Sequence, residues 1–155
     1  MNKTTTKILI SIVSVLVVLV LIRLIVPKNT ADSDGKIHLI ILDSHEAIVF
    51  EGELSYLEND TFYDVLDRHF ELTCANQSYQ ADPTCGFSFQ NFSHQGKVIL
   101  GIKGDTFEVM TDWHQSFLAF EYELNGSYVL ATQGPSNMPF SDQERFRISV
   151  RSPWG

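Results

Sequence analysis

At 155 residues with a formal charge of −8, the chain is the size of one domain, and its acidity argues against a nucleic-acid partner, which needs a basic face. The charge is unevenly placed: Lys3, Lys7, Arg23 and Lys28 are the only charged side chains in the first 28 residues, while residues 29–155 set seven Lys and Arg against all nineteen Asp and Glu, a balance of −12. That balance also argues against the domain lying on anionic lipid. A solvated acidic surface is its ordinary reading, and a neutral or cationic ligand is compatible with it.

Residues 1–7 read as a short basic tail. Residues 8–26, ILISIVSVLVVLVLIRLIV, have only Ser11, Ser14 and Arg23 as polar interruptions. As a helix the run is long enough for a hydrocarbon core of about 30 Å. It exceeds a usual signal-peptide core and no A-x-A site follows, so an uncleaved transmembrane signal anchor is expected. The expected topology is single-pass, in the cell membrane, with the domain outside; the flanking cations nearly balance, so the basic tail biases this only mildly. Residues 27–35, PKNTADSDG, read as a linker.

The remaining residues, 36–155, read as one extracellular α+β domain. Lys36–Leu42 is a β-rich run, and Ala47–Leu54 pairs back on it as a hairpin. Thr61–Leu72, TFYDVLDRHFEL, is the predicted helix: Phe62, Val65, Leu66, His69 and Phe70 share one face. Thr61 with Asp64 resembles a capping box, and Asp64 with Arg68 is spaced as an i,i+4 pair. A lone amphipathic helix in a β-rich chain must cover a sheet.

Cys74 and Cys85 have ten residues between them and bound a polar segment predicted to be a loop. Outside the cell a disulfide is the first reading, free thiols the second. A metal site with His69 and His94 is the third, although the spacing matches no zinc pattern. Gly86–Phe92 and Lys97–Gly104 read as strands, with residues 105–112 continuing the second or making a short excursion. Ser116–Ala131 is the clearest hairpin, turning at Asn125-Gly126, the type I′ dipeptide. Gln133–Pro139 is a loop, and Arg145–Ser152 a last strand with Phe146, Ile148 and Val150 inward and its arginines outward.

In order, TFYDVLDRHFEL, ILGIKG, WHQSFLAFEYELNGSYV and ERFRISVRSPW resemble the transcobalamin-like C-terminal domain, a module of bacterial surface proteins. Thr61, Leu66, Gly101, Gly104, Trp113, Tyr122, Asn125, Gly126 and Tyr128 hold the positions of its motifs. The resemblance covers roughly residues 36–155. It implies a β-grasp-like mixed sheet packed on one helix, and, by analogy with vertebrate members, a corrinoid or other flat cofactor held against one face. The chain departs from the pattern in two places. SDQERF before the last strand lacks the usual glycine, and the cysteine loop is its own.

Trp113, His114 and Phe117 stand at the entry to the hairpin, beside Gln133–Pro139. With Tyr122 and Gln133 they are the candidate ligand-binding residues, an aromatic platform with polar tips suited to a flat ligand or a peptide. The ordinary alternative is a tryptophan capping the core edge. His69 reads as a core-edge histidine bonded to backbone rather than a catalyst. Asp105, Asp112 and His114 have no nucleophile beside them, so no catalytic residue, no metal site and no enzyme is expected; no cofactor is identified. The function expected is a membrane-anchored extracellular module binding a small molecule. The alternative is a structural or protein-interaction domain of a cell-envelope complex, working through an exposed sheet edge.

Overall fold

The computed structural model describes residues 3–25, 28–91, 94–141 and 143–152 as a mixed α+β structure built mostly of sheet. In chain order the elements are α1 (Lys3–Ile25), β1 (Gly35–Leu42), β2 (Ile48–Tyr56), α2 (Phe62–His69), β3 (Glu71–Ala75) and β4 (Ala81–Asp82). Then follow β5 (Phe89–Asn91), β6 (His94–Gly96), β7 (Ile99–Lys103), β8 (Glu108–Met110), β9 (Phe117–Leu124), β10 (Ser127–Leu130) and β11 (Arg145–Arg151).

The side chains described in α1, at 7–9 and 11–21, are exposed. Among the described residues no helix is long and apolar enough to cross a membrane, so the anchor expected at 8–26 is unsupported there. Its last residue, Val26, and Pro27 of the expected linker lie outside the described residues. The rest of that linker is docked. Ala31, 3% exposed, donates its amide to the Asp60 carbonyl at 2.8 Å and accepts from Asn59 at 3.0 Å. Phe140 N–H donates to the Lys28 carbonyl at 3.0 Å. A linker should leave its backbone to water; here it is bonded to the fold.

The strands form two main sheets rather than a single mixed one. The larger has the order β10-β9-β11-β1-β2, with β1 parallel to β11 and every other pairing antiparallel. The smaller runs β4-β3-β7-β8, and β5 with β6 makes a separate ribbon. Alternation sets the faces. Leu39 and Ile41 on β1, Phe146 and Ile148 on β11 and Leu118 and Phe120 on β9 bury one face of the larger sheet. Against it pack Phe62, Val65 and Leu66 of α2 with Leu72, Ile99, Ile102 and Val109 of the smaller sheet. Phe62 stacks on Phe146 with ring centroids 4.3 Å apart. Each such side chain contributes about 1.5–3 kcal/mol by leaving water.

Helix α2 starts where the sequence predicts. Thr61 Oγ1 accepts from Asp64 N–H at 3.3 Å, and Asp64 Oδ2 accepts from Thr61 N–H at 2.8 Å. This capping box contributes about 1 kcal/mol. Asp64 is thereby engaged, and Arg68 forks instead onto Asp60, at 2.6 and 2.8 Å, in place of the expected Asp64 pair. The far end is a correction. The helix stops at His69, Phe70 is extended with ψ 156°, and Glu71 opens β3 opposite Lys103 of β7. Leu72 is buried, but as a strand residue. His69 is exposed, its Nε2 lying 2.9 Å from the Ser55 carbonyl oxygen.

The cysteine segment is likewise more than a loop, since β3 pairs with β4 inside it. Cys74 and Cys85 form a disulfide. Closing a loop of this size stabilises by about 3 kcal/mol in the chain-entropy account. Residues 105–112 turn back, with β8 antiparallel to β7. Of the strand expected at Gly86–Phe92, only Phe89–Asn91 is strand, and Phe92 lies outside the described residues.

Candidate functional site

A groove forms where the β9–β10 hairpin, the turn before it and the loop after it meet the β5–β6 ribbon. Each wall has a local cause. Asn125 (φ 53°) and Gly126 (φ 80°) both take the left-handed conformation that a type I′ turn requires, which fixes the hairpin register. Before the hairpin, Asp112 Oδ1 accepts backbone N–H bonds from His114 at 3.1 Å, Gln115 at 2.8 Å and Ser116 at 3.2 Å. Those bonds, with that from Gln115 foremost, hold the Asp112 carboxyl below its usual range. The turn they build carries Trp113 at φ 67°, a conformation costing an L-residue on the order of 1 kcal/mol.

Aromatic packing holds Trp113 in place. Tyr79 lies against its ring with centroids 5.4 Å apart and 15° between planes, and Tyr79 in turn stacks on Phe89 at 4.8 Å. These rings join Ala75, Val98 and Leu100 in a small second core on the outer side of the smaller sheet. The ordinary reading of Trp113, a core-edge cap, therefore holds, and the residue lines the groove as well.

After β10 the chain is pinned on three sides. Tyr63 N–H of α2 donates to the Pro135 carbonyl at 3.1 Å, Asn137 Nδ2 to the Gln95 carbonyl at 3.1 Å, and Asn29 Nδ2 to the Ser136 carbonyl at 3.2 Å. Gly134 is required by close approach: a Cβ there would sit 2.9 Å from the Lys97 carbonyl oxygen.

Two adjoining hollows make up the groove. One, of about 300 Å³, is walled by Trp113, Phe117, Phe120, Val98 and Pro135. The other, of about 510 Å³, is walled by Tyr122, Val129, Leu130, Asn29, Asn137 and Pro139. Gln95, Thr132 and Gln133, all exposed, line both and form the rim between them. Of the candidate residues, Trp113 and Phe117 thus fall in the first hollow, Tyr122 in the second and Gln133 in both. His114 is exposed and lines neither; it follows Trp113 in a turn whose carboxylate cap takes its amide, not its ring.

The groove is electrically plain. No Asp or Glu lines either hollow, and Lys97 is the one charged side chain among the described lining residues. Its Nζ donates to the Cys85 carbonyl and lies 5.8 Å from the centre of the Tyr63 ring. Burial first, and the Asp67 carboxylate second, push the Tyr63 phenol up to about 12, so it stays neutral. Among the described residues no group of three or more His, Cys, Asp or Glu side chains could hold a metal ion.

Sequence reasoning missed Gln95, Thr132 and Asn137. Gln95 lies in a three-residue strand without apolar alternation, and Asn137 is brought to it across 42 positions by tertiary pairing. No family model matches the chain, and no curated protein or solved structure does.

Proposed function

We propose that the chain is a membrane-anchored extracellular binding module that holds a small molecule in the groove between β9–β10 and the Gln133–Pro139 loop. One observation carries this reading. In a domain rich in carboxylates, a carboxylate-free concavity joins a fixed tryptophan and a second aromatic wall to convergent amides, the composition of a small-molecule site. The site residues are Trp113, Phe117, Tyr122 and Gln133, with Gln95 and Thr132 on the rim.

The anchor is residues 8–26. Its support is the near-continuous apolar sequence of that run and the exposure of Ile8, Leu16 and Leu19 within it. A disulfide at Cys74–Cys85 suits an oxidising compartment, hence a domain outside. Helix α2 against the larger sheet is compatible with a β-grasp-like module and with the transcobalamin-like resemblance, which makes a corrinoid one candidate ligand.

A second reading has its own observation. The edge strand β10 carries no charge and exposes Val129 and Leu130, with Leu124 beside it, as a partner-binding edge would.

The test follows thermal unfolding of the full chain in detergent against a panel of small molecules that includes corrinoids, other flat cofactors and neutral sugars. A compound at 100 times its dissociation constant adds about 2.7 kcal/mol of stability. The expected result is a shift that Trp113→Ala and Gln133→Ala both remove. A shift that Gln133→Ala leaves intact would move the site elsewhere, and no shift with any compound would favour the partner-binding edge.

A further inference from the structure

We infer that the groove binds a neutral oligosaccharide; the inference rests on the groove being the binding site and names what it takes. The first argument is charge. A ligand ammonium would be desolvated without an opposite charge to meet it, since no carboxylate is among the described lining residues, and an anion would find only Lys97, which lines the first hollow and not the second and turns its Nζ to the Cys85 carbonyl. Burying a charge unpaired is costly, so a ligand suited to this lining is neutral.

The second argument is hydrogen-bond type. Gln95, Thr132 and Gln133 present two carboxamides and a hydroxyl on the rim shared by both hollows. A carboxamide donates and accepts, and so does a sugar hydroxyl; a carboxylate only accepts. Side chains that do both can follow a ring of hydroxyls whatever their orientation.

The third argument is the aromatic wall. The C–H face of a pyranose is apolar and stacks on an aromatic ring, and the gain is larger when the ring is already fixed. Trp113 is fixed by its stack on Tyr79, and Phe117 walls the same hollow. The shape adds a fourth. Two hollows in series, of about 300 and 510 Å³, suit successive sugar units, whereas polar side chains standing midway would interrupt the continuous apolar face that a broad macrocycle needs.

The experiment titrates the full chain in detergent by calorimetry with cellotetraose, chitotetraose, tetragalacturonate, a corrinoid and a neutral acetylated hexapeptide. The expected result is binding of at least one neutral tetrasaccharide, with tetragalacturonate at least about tenfold weaker. Gln133→Ala is expected to weaken that binding about tenfold, as loss of one good hydrogen bond does, with the thermal midpoint unchanged. Trp113→Ala is expected to abolish it; because Trp113 also packs on Tyr79, the exposed Gln133 carries the test should that variant fold poorly. Equal binding of tetragalacturonate would overturn the inference. So would Gln133-dependent binding of the corrinoid or the hexapeptide in place of the sugars, and in that case the groove would stand as the site. Binding of nothing would remove both.

Discussion

The β9–β10 hairpin belongs to two regions with opposite chemistry. On the face turned away from the core, carboxylates and guanidinium groups neutralise one another. Glu121, 2% exposed, accepts from Arg147 at 2.6 Å and also from Arg151. Arg145 reaches Glu123 at 3.1 Å, and the Arg147 guanidinium lies 4.4 Å from the centre of the Tyr128 ring. At the other region, the groove, charge is nearly absent and amides stand exposed. A face whose charges are matched internally has little to offer a ligand, whereas neutral donors and acceptors turned to solvent do. The difference separates a region that holds the sheet together from the one proposed to take a ligand.

The sharpest way to break that comparison is at Glu121. Glu121→Ala removes two charge-assisted hydrogen bonds, to Arg147 and Arg151, and a loss of about 3 kcal/mol is expected in denaturant unfolding, since the partly exposed arginines regain water. Groove binding by the surviving folded fraction should be unchanged; a parallel loss of affinity would show that the regions are coupled. Similar in size is the disulfide. Reduction, or Cys74→Ser with Cys85→Ser, should cost about 3 kcal/mol, read as a lower thermal midpoint that reductant no longer shifts in the double variant.

Trp113→Ala should cost about 2 kcal/mol through its lost stacking and packing, visible as a changed near-ultraviolet dichroism signal, and should remove groove binding. Acid offers a smaller effect. The carboxyls of Asp60, held down foremost by the Arg68 fork, and of Asp112, held down by backbone amides, both lie below their ordinary value. Carboxyls depressed in the folded state contribute stability above about pH 4, the unfolded value, and lose it as pH falls through the folded ones. A pH series of thermal midpoints should therefore be level above about 5 in this respect and drop below 4. Asp60→Asn should flatten the drop. Least of all, Gln133→Ala should change stability by less than about 0.5 kcal/mol, because it is exposed, while affecting binding.

Where local rules governed, the sequence was legible. The Asn125-Gly126 hairpin, the alternation of β11 and the Thr61–Asp64 cap need no distant partner, and all three are present. The end of α2 was not legible. Leu72 continues the helical spacing, but pairing of Glu71 and Leu72 with Lys103 and Ile102, some thirty residues on, draws the chain into a strand. The smaller sheet was hidden for the same reason: its short strands β3 and β4 contain Thr73, Cys74 and Asp82 in place of an apolar pattern. Glu121 sits at a position that alternation assigns outward, and nothing local signals that two arginines of β11 will enclose it. At the site, the aromatic wall could be read because Trp113 and Phe117 flank a recognisable hairpin. The amide rim could not, because Gln95 and Gln133 are ordinary polar residues until the fold sets them side by side.

The docked segment after α1 has a consequence for reach. Ile25 ends the helix, and the carbonyl of Lys28 already bonds the amide of Phe140. Three Cα–Cα steps separate those two residues, which is at most about 11 Å of chain. Were α1 held in a bilayer, as proposed, the domain would be on a short leash, able to pivot but unable to forage, and its groove would stay close to the surface. Ligands tethered at that height would meet it at high effective concentration, and those at the far side of a thick envelope would not.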